Sequence, residues 1–534
     1  MPWGTSYGEL TVPTDLPFIT HAPVSPGSVP HGESAPSERN STMAYTPATS
    51  QAEPAGTADT PDHRPTPTGR KLTVLLLALL WPAQMFGVAN VFAANAQAQV
   101  AEHFHTTEIA WFTLIYALFG TLMTPFAVKA GDRFGKRRVI IGIVALGLIG
   151  DVITAMAPNF SVMLTGRAVA ACYAPIGALV FATVRDVFPA RRVAVATGII
   201  GAGAGAITTV VPVLAGWLLD DYGFRSALWV LSGCTAFALL LVIAFVPETE
   251  KRLDDGGFDW IGILLLGGSI TALIYGIGQG TVWGWTSPKT LGLLVGAIAA
   301  AGVFALVERR VKHPLMDIGF FGRREVATVL TATSLVQGIS YAYSGTLLAV
   351  LTLYPFIPGV SGGLGWSVMH SALIGLPAGI LLFGVGVGVG VGAAARRLNP
   401  LGPWLLGVVL LIVGIVLQGL YHADETQFIA TGLVAALGIG MIYAGAPVLV
   451  LRAVSREEQA LASGMSVMLV GLMVTVGTQV IFTVLNHDSS VLHGVALYHG
   501  NGYRNAFFAL AGCIGVGLVI SLLIPKLRTV DTEE

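Results

Sequence analysis

Charge is what this chain has least of. Only 11% of its 534 residues are Asp, Glu, Lys or Arg and 54% are apolar, against roughly 25% charged and 45–50% apolar in ordinary soluble domains. A water-soluble globular fold is thereby excluded. Cysteine is nearly missing as well: Cys172, Cys234 and Cys513 all fall inside apolar runs, which leaves no disulfide framework in the loops. Neither Cys-x-x-Cys nor His-x-x-x-His spacing occurs, so no metal site and no cofactor are expected. The nucleotide-binding pattern G-x-x-x-x-G-K-[ST] is also lacking, so any active transport must draw on an ion gradient or on the substrate's own gradient. A formal net charge of −1 offers no bulk attraction to nucleic acid.

What the chain does have is one apolar run after another. Mean hydropathy is +0.73, and runs of about 20 residues, each able to cross a hydrocarbon core of about 30 Å, recur fourteen times between residues 71 and 525. The lipid bilayer is the partner such a sequence requires, and an all-α polytopic membrane protein is the fold class expected. Residues 1–70 have no apolar run and are rich in Pro, Ser, Thr and Gly, the composition of a disordered tail. With that tail in the cytoplasm and the sides alternating, all but four of the 29 Lys and Arg fall on the cytoplasmic side. The exceptions are Arg167, inside a span, and Arg225, Lys289 and Arg504 outside. This bias predicts that both termini, including a short tail at 526–534, are cytoplasmic.

A second level of order divides the spans. GDRFGKRR at 131–138 and GAAARRLNP at 392–400 each follow the second span of a block. The division predicts a six-helix bundle at 71–248, two inserted helices at 259–308 and a second six-helix bundle at 326–525. Internal repeats around a central cavity are the build of secondary transporters.

Several segments resemble the major facilitator superfamily, and specifically its fourteen-span drug:proton antiporter branch, over most of 71–526. They are GDRFGKRR; WFTLIY opening the second span, with Trp111 and Tyr116; Arg167 early in the fourth; and VVPVLAGW with YGFRSALW after it. FDWIGILLL, VWGWTSP and LVERRVKHPLMD then match the two inserted spans. The resemblance implies a plasma-membrane exporter of hydrophobic or amphipathic small molecules, drugs, antibiotics or natural products, driven by protons through alternating access. A monomer is expected, and no enzyme. Site roles are implied too: Asp132, Arg133, Gly135, Lys136 and Arg137 as a cytoplasmic gate, with Val128 where the family has glycine, and Arg167 in proton transfer. The antiporter signature of the fifth span is partial, with Gly198, Pro212 and Gly216 kept and Ile207, Val211 and Ala215 replacing glycines.

The residues add their own reading. Asp151 and Arg167 are the charges lying well inside spans, where burial is costly and usually functional. Each sits about six residues from the outer end of its span, at a depth of about 9 Å, so the two could meet as a pair. The first span carries Gln84, Gly87, Asn90 and Asn95 but no carboxylate. That leaves Asp151 as the buried candidate for a proton carrier, with a fixed structural ion pair as the alternative. Gln84, Asn90, Tyr116, Gln337, Tyr341, Tyr343 and Gln479 are the candidates for lining a cavity, and with so little charge they suit a neutral or amphipathic substrate. In GVGVGVGVG, Gly384, Gly388 and Gly392 share one helical face, which predicts a close helix contact, with plain low complexity as the equal alternative. The competing readings are a dedicated exporter or facilitator of one neutral metabolite without proton coupling, and a sensor or enzyme on the same fold.

Overall fold

A computed structural model describes residues 69–248, 260–311, 318–394, 401–422, 424–455 and 458–525. The expected tails, up to residue 68 and at 526–534, lie outside the described residues, as do Arg396 and Arg397. In hydrocarbon the backbone must satisfy its own hydrogen bonds, and helices account for every spanning segment. The first span is Gly69–Ala83 continued by Met85–Phe104, the second Ala110–Phe134 and the third Lys136–Met156. The fourth is Phe160–Ala170 continued by Ile176–Val187, the fifth Ala190–Tyr222 and the sixth Phe224–Phe245. Trp260–Trp283 and Pro288–Glu308 are the seventh and eighth. The ninth runs from Arg324–Ala342 through the turn Tyr343–Leu347 to Leu348–Leu353. Val368–Ala394, Leu401–Leu420, Glu425–Arg452, Gln459–His487 and Gly500–Leu522 complete the series. Thirteen of these units are long and apolar enough to cross a membrane among the described residues. The fifth, 33 residues long, has the length of a further span.

Local chemistry explains the breaks. Pro82 lacks an N–H, and the first span is interrupted two residues later at Gln84, where φ is −91° and ψ −7°. The Asn159 side chain accepts from Val162 N at 2.9 Å and starts the fourth span, while Ser287 accepts from Thr290 N at 3.2 Å and starts the eighth, as N-cap residues do. The five residues Tyr343–Leu347 form a π-turn, a feature often found at functional positions in helices. An antiparallel hairpin pairs Ser489–Leu492 with Val495–Tyr498 between the last two spans.

Within the first bundle the third span packs on the fourth and sixth, and the first on the fifth and sixth. In the second, the eleventh packs on the twelfth and fourteenth and the ninth on the thirteenth. The bundles meet where the fifth span packs on the tenth and the second on the thirteenth. The seventh span touches both sides of the latter seam: Ile270 and Ile274 join Leu114 and Leu118 of the second span with Leu472 of the thirteenth. One expected contact falls elsewhere. A Cβ on Gly384 or Gly388 would meet nothing within 4 Å, whereas one on Gly440 would lie 2.6 Å from the Leu382 carbonyl. The tenth and twelfth spans therefore approach through the glycine of the twelfth, not through Gly384 or Gly388.

Candidate functional site

Two glycines position the acid of the third span. A Cβ on Gly150 would lie 2.2 Å from the Ala170 nitrogen, and one on Gly147 would lie 2.0 Å from the Tyr173 ring. Bare backbone is thus what lets the third and fourth spans close up, and it sets Asp151 beside Tyr173. Asp151 is 2% exposed. Its Oδ2 accepts the Thr235 hydroxyl of the sixth span at 2.6 Å, and its Oδ1 accepts the Tyr173 hydroxyl at 3.5 Å. Neither donor is charged, so neither stood out in the sequence.

Arg167 is 1% exposed. Its Nε donates to the Phe112 carbonyl at 3.2 Å, and its guanidinium carbon stands 4.4 Å from the Tyr116 ring centre and 5.0 Å from that of Phe112, within cation–π range. Nη1 and Nη2 are buried without a hydrogen-bond partner among the described residues. The direct pair with Asp151 is not formed. Hydroxyls hold the acid and aromatic faces hold the base. Tyr116 bridges the cluster, its ring 6.1 Å from that of Tyr173.

Around the basic loop, Gly135 turns the chain at φ 95°, a conformation that glycine adopts at little cost. Lys136, 6% exposed, forms an ion pair with Asp186 at the end of the fourth span and stands 3.7 Å from Asp132. Arg137 lies 3.7 Å from Glu248 and donates to the Ile243 carbonyl at 2.7 Å. Arg133 lies over the neighbouring Phe134 ring, 5.6 Å from its centre. Asp132 therefore reaches Lys136 one turn on, and these ties join the third span to the ends of the fourth and sixth. Asp186 and Glu248, the acids that complete the loop, are anonymous in the sequence. A comparable surface tie in the second bundle joins Arg323 to Glu458 at 2.9 Å, and the Arg323 hydrogen bond holds the Glu458 carboxyl below its usual range.

On the opposite face the bundles are joined by Asp220, at the end of the fifth span. Its Oδ1 accepts from Val368 N at 2.9 Å and its Oδ2 from Met369 N at 2.8 Å, so one carboxylate caps the start of the tenth span. Gly216, one turn earlier, makes room for this: a Cβ there would lie 2.6 Å from Met369 Cα. Pro212 sits inside the same helix, as does Gly198.

The cavity candidates divide. Gln84 is buried and its Nε2 donates to the Ile200 carbonyl at 2.9 Å, tying the first span to the fifth. Tyr116 lies beneath Arg167, Tyr343 donates to Gln418 Oε1, and Gln479, 4% exposed, packs against Gly278 of the seventh span. Asn90 and Gln337 are half-buried and Tyr341 is exposed.

The sequence profile of the Major Facilitator Superfamily matches residues 83–478. An uncharacterised transporter of that type from Mycobacterium tuberculosis is 29% identical over 57% of this chain, which covers only 44% of that relative's length. The tetracenomycin C resistance and export protein of Streptomyces glaucescens is 26% identical over 74% of this chain and 71% of its own. A uridine/deoxyuridine transporter of Lactococcus lactis is 26% identical over 85% and 95%. Among solved structures, a POT family transporter in complex with 5-aminolevulinic acid superposes with a TM-score of 0.60 at 14% identity, covering 85% of this chain and 95% of that one. At that identity the likeness is one of fold.

Proposed function

This chain belongs to the Major Facilitator Superfamily, and from that premise we propose that it exports hydrophobic or amphipathic small molecules across the plasma membrane in exchange for protons. Transport in this reading proceeds by alternating access between the two bundles. The observation that carries it is the Asp151–Arg167 cluster: a buried carboxylate held by two neutral hydroxyls, near a buried guanidinium with two unmet nitrogens. A buried charge without full partners is costly and usually functional, and the cluster has an evident second arrangement. Loss of a proton from Asp151 strengthens its attraction for the Arg167 nitrogens, and gain of one releases them. Proton binding at Asp151 thus selects between two packings of the second, third, fourth and sixth spans.

The remaining pieces fit a cycle. With the basic loop cytoplasmic, the Asp220 contact lies on the outer side and belongs to the state closed there. Opening that side requires Val368 N and Met369 N to leave the carboxylate. The basic loop acts at the other end, where the enclosed Lys136 meets the partly exposed carboxylates of Asp132 and Asp186, contacts that have to rearrange when that side opens.

The test is proton movement in everted vesicles on addition of a transported compound. Asp151→Asn is expected to abolish substrate-linked proton flux while the protein still assembles. Flux that survives this substitution removes Asp151 from the mechanism. A second reading, a facilitator of one neutral metabolite, draws support from the absence of a carboxylate at 72–101 of the first span and from the uridine/deoxyuridine transporter among the relatives. Substrate movement with no proton flux in the unmodified protein decides for it.

A further inference from the structure

The ninth span is the most enclosed of the candidate spans, with 61% of its apolar window buried. Beyond residue 331 its exposed residues are Tyr341, Ser344 and Gly345, with Gln337 half-buried one turn before. Positions 337, 341, 344 and 345 fall on one helical face, and lipid contact would favour apolar side chains there. A polar strip on an otherwise enclosed helix lines an interior space. The π-turn Tyr343–Leu347 begins within this strip.

The first span carries the counterpart. Its outer part packs against Leu348–Leu353 of the ninth, and nearer its middle Phe86 is exposed and Asn90 half-buried. Each bundle backs its exposed ring with a second, nearly parallel ring. Phe86 stacks on Tyr116, with centres 6.0 Å apart and planes at 22°, and Tyr341 stacks on Tyr443, at 4.6 Å and 27°. The outward rings, Phe86 and Tyr341, are each 44% exposed. No charged side chain occurs at 72–101 or 326–353. Asn90 and Ser344 bring an amide and a hydroxyl beside the rings; Asn90 donates to the Phe86 carbonyl and Ser344 to the carbonyls of Ser340 and Tyr341.

We propose that Phe86 and Tyr341 are the two walls of a substrate site for a flat, uncharged aromatic ring system whose polar edge groups meet Asn90 and Ser344. The proposal rests on the export reading and names its substrate class. A ring backed by a second ring is held in plane and presents a preorganised face, the arrangement that rewards offset stacking. With no carboxylate on either wall, a cation gains nothing beyond the ring faces. Flat neutral compounds are therefore preferred both to cations of the same outline and to saturated rings.

The experiment measures binding to the full chain in lipid nanodiscs by calorimetry. It uses a neutral dihydroxyanthraquinone, an acridinium dye of similar outline and a perhydroanthracene diol. The anthraquinone is expected to bind most tightly. Phe86→Leu and Tyr341→Leu should each weaken it about tenfold, while Phe86→Tyr and Tyr341→Phe keep it within about twofold. Melting temperature checks assembly, and Phe86→Met and Tyr341→Met replace any leucine variant that fails to assemble. Equal binding of the saturated diol, or tighter binding of the dye, overturns the proposal, as does unchanged affinity in assembled variants. A parallel efflux assay separates the two readings. Export of other compounds without anthraquinone binding defeats this site and leaves the transporter intact. Wall-dependent binding without any efflux defeats export and leaves the site.

Discussion

At the scale of single residues, the chemistry of this molecule lies in what its few charges touch. Asp151 and Arg167 were legible because charge is rare in these spans, but their partners were not. Thr235 and Tyr173 are ordinary in a membrane helix, and only the close approach at Gly147 and Gly150 makes them ligands of a carboxylate. The same holds for Asp220. It ends an apolar helix and reads as a loop acid, yet it caps the tenth span through two backbone nitrogens. Asparagine keeps one of the two acceptors and turns a donor toward the other N–H, whereas alanine keeps neither, and losing a cap costs about 1 kcal/mol. Asp220→Ala is therefore expected to shift the balance away from the state closed at this face by about fivefold, with Asp220→Asn shifting it in the same direction. The readout is labelling of Asn90→Cys by an impermeant maleimide added at the Asp220 face of proteoliposomes. Equal labelling rates in all three backgrounds would show that the cap contributes nothing to closure.

At the scale of elements, the number and order of spans were readable because about 20 apolar residues have few other ways to be satisfied. Three features escaped that reading: the break at Gln84, the π-turn Tyr343–Leu347 and the hairpin at 489–498. Each depends on tertiary neighbours more than on local composition. Glycines are the clearest case. The repeated glycines of the tenth span catch the eye, yet Gly384 and Gly388 face open space, while Gly150, inconspicuous in GLIGDV, admits no Cβ at all. Gly150→Ala should force the third and fourth spans apart and cost about 1–3 kcal/mol as an overpacked contact. Gly142→Ala in the same helix has nothing within 4 Å of its Cβ and should be neutral or slightly stabilising. Thermal unfolding in detergent compares them, and equal melting temperatures would refute the packing argument. The Arg323–Glu458 tie gives a pH test at this scale. Arg323 holds the folded carboxyl below its ordinary value, so its contribution is complete above the unfolded value, about 4.3, and is lost only as pH falls through the lower folded one. The effect of Glu458→Gln on melting should be constant from pH 5 to 8 and fade under stronger acid. A change between pH 6 and 7 would assign it to another group.

At the scale of the whole molecule, the question is which contacts must part for the bundles to rock. The fifth and tenth spans meet through Gly216 and Met369 and are fastened by Asp220, whereas the second and thirteenth meet along a seam overlaid by the seventh. Thr121 and Gly471 touch on that seam, where a Cβ on the glycine would lie 2.7 Å from the threonine hydroxyl. The inserted seventh span, resting on both sides through Ile270 and Ile274, can follow a rotation about the seam without losing its contacts. The Asp220 contact has no such cover and must separate. A disulfide between Asp220→Cys and Val368→Cys, with the native cysteines 172, 234 and 513 replaced, should therefore lock this face shut. Transport in proteoliposomes should fall to background on oxidation and return with dithiothreitol. A single substitution treated in the same way should keep its rate, because nothing then joins the bundles. Full transport by the oxidised double variant, with the cross-link confirmed by mass spectrometry, would mean that the bundles rock about this contact and that the opening lies at the opposite seam.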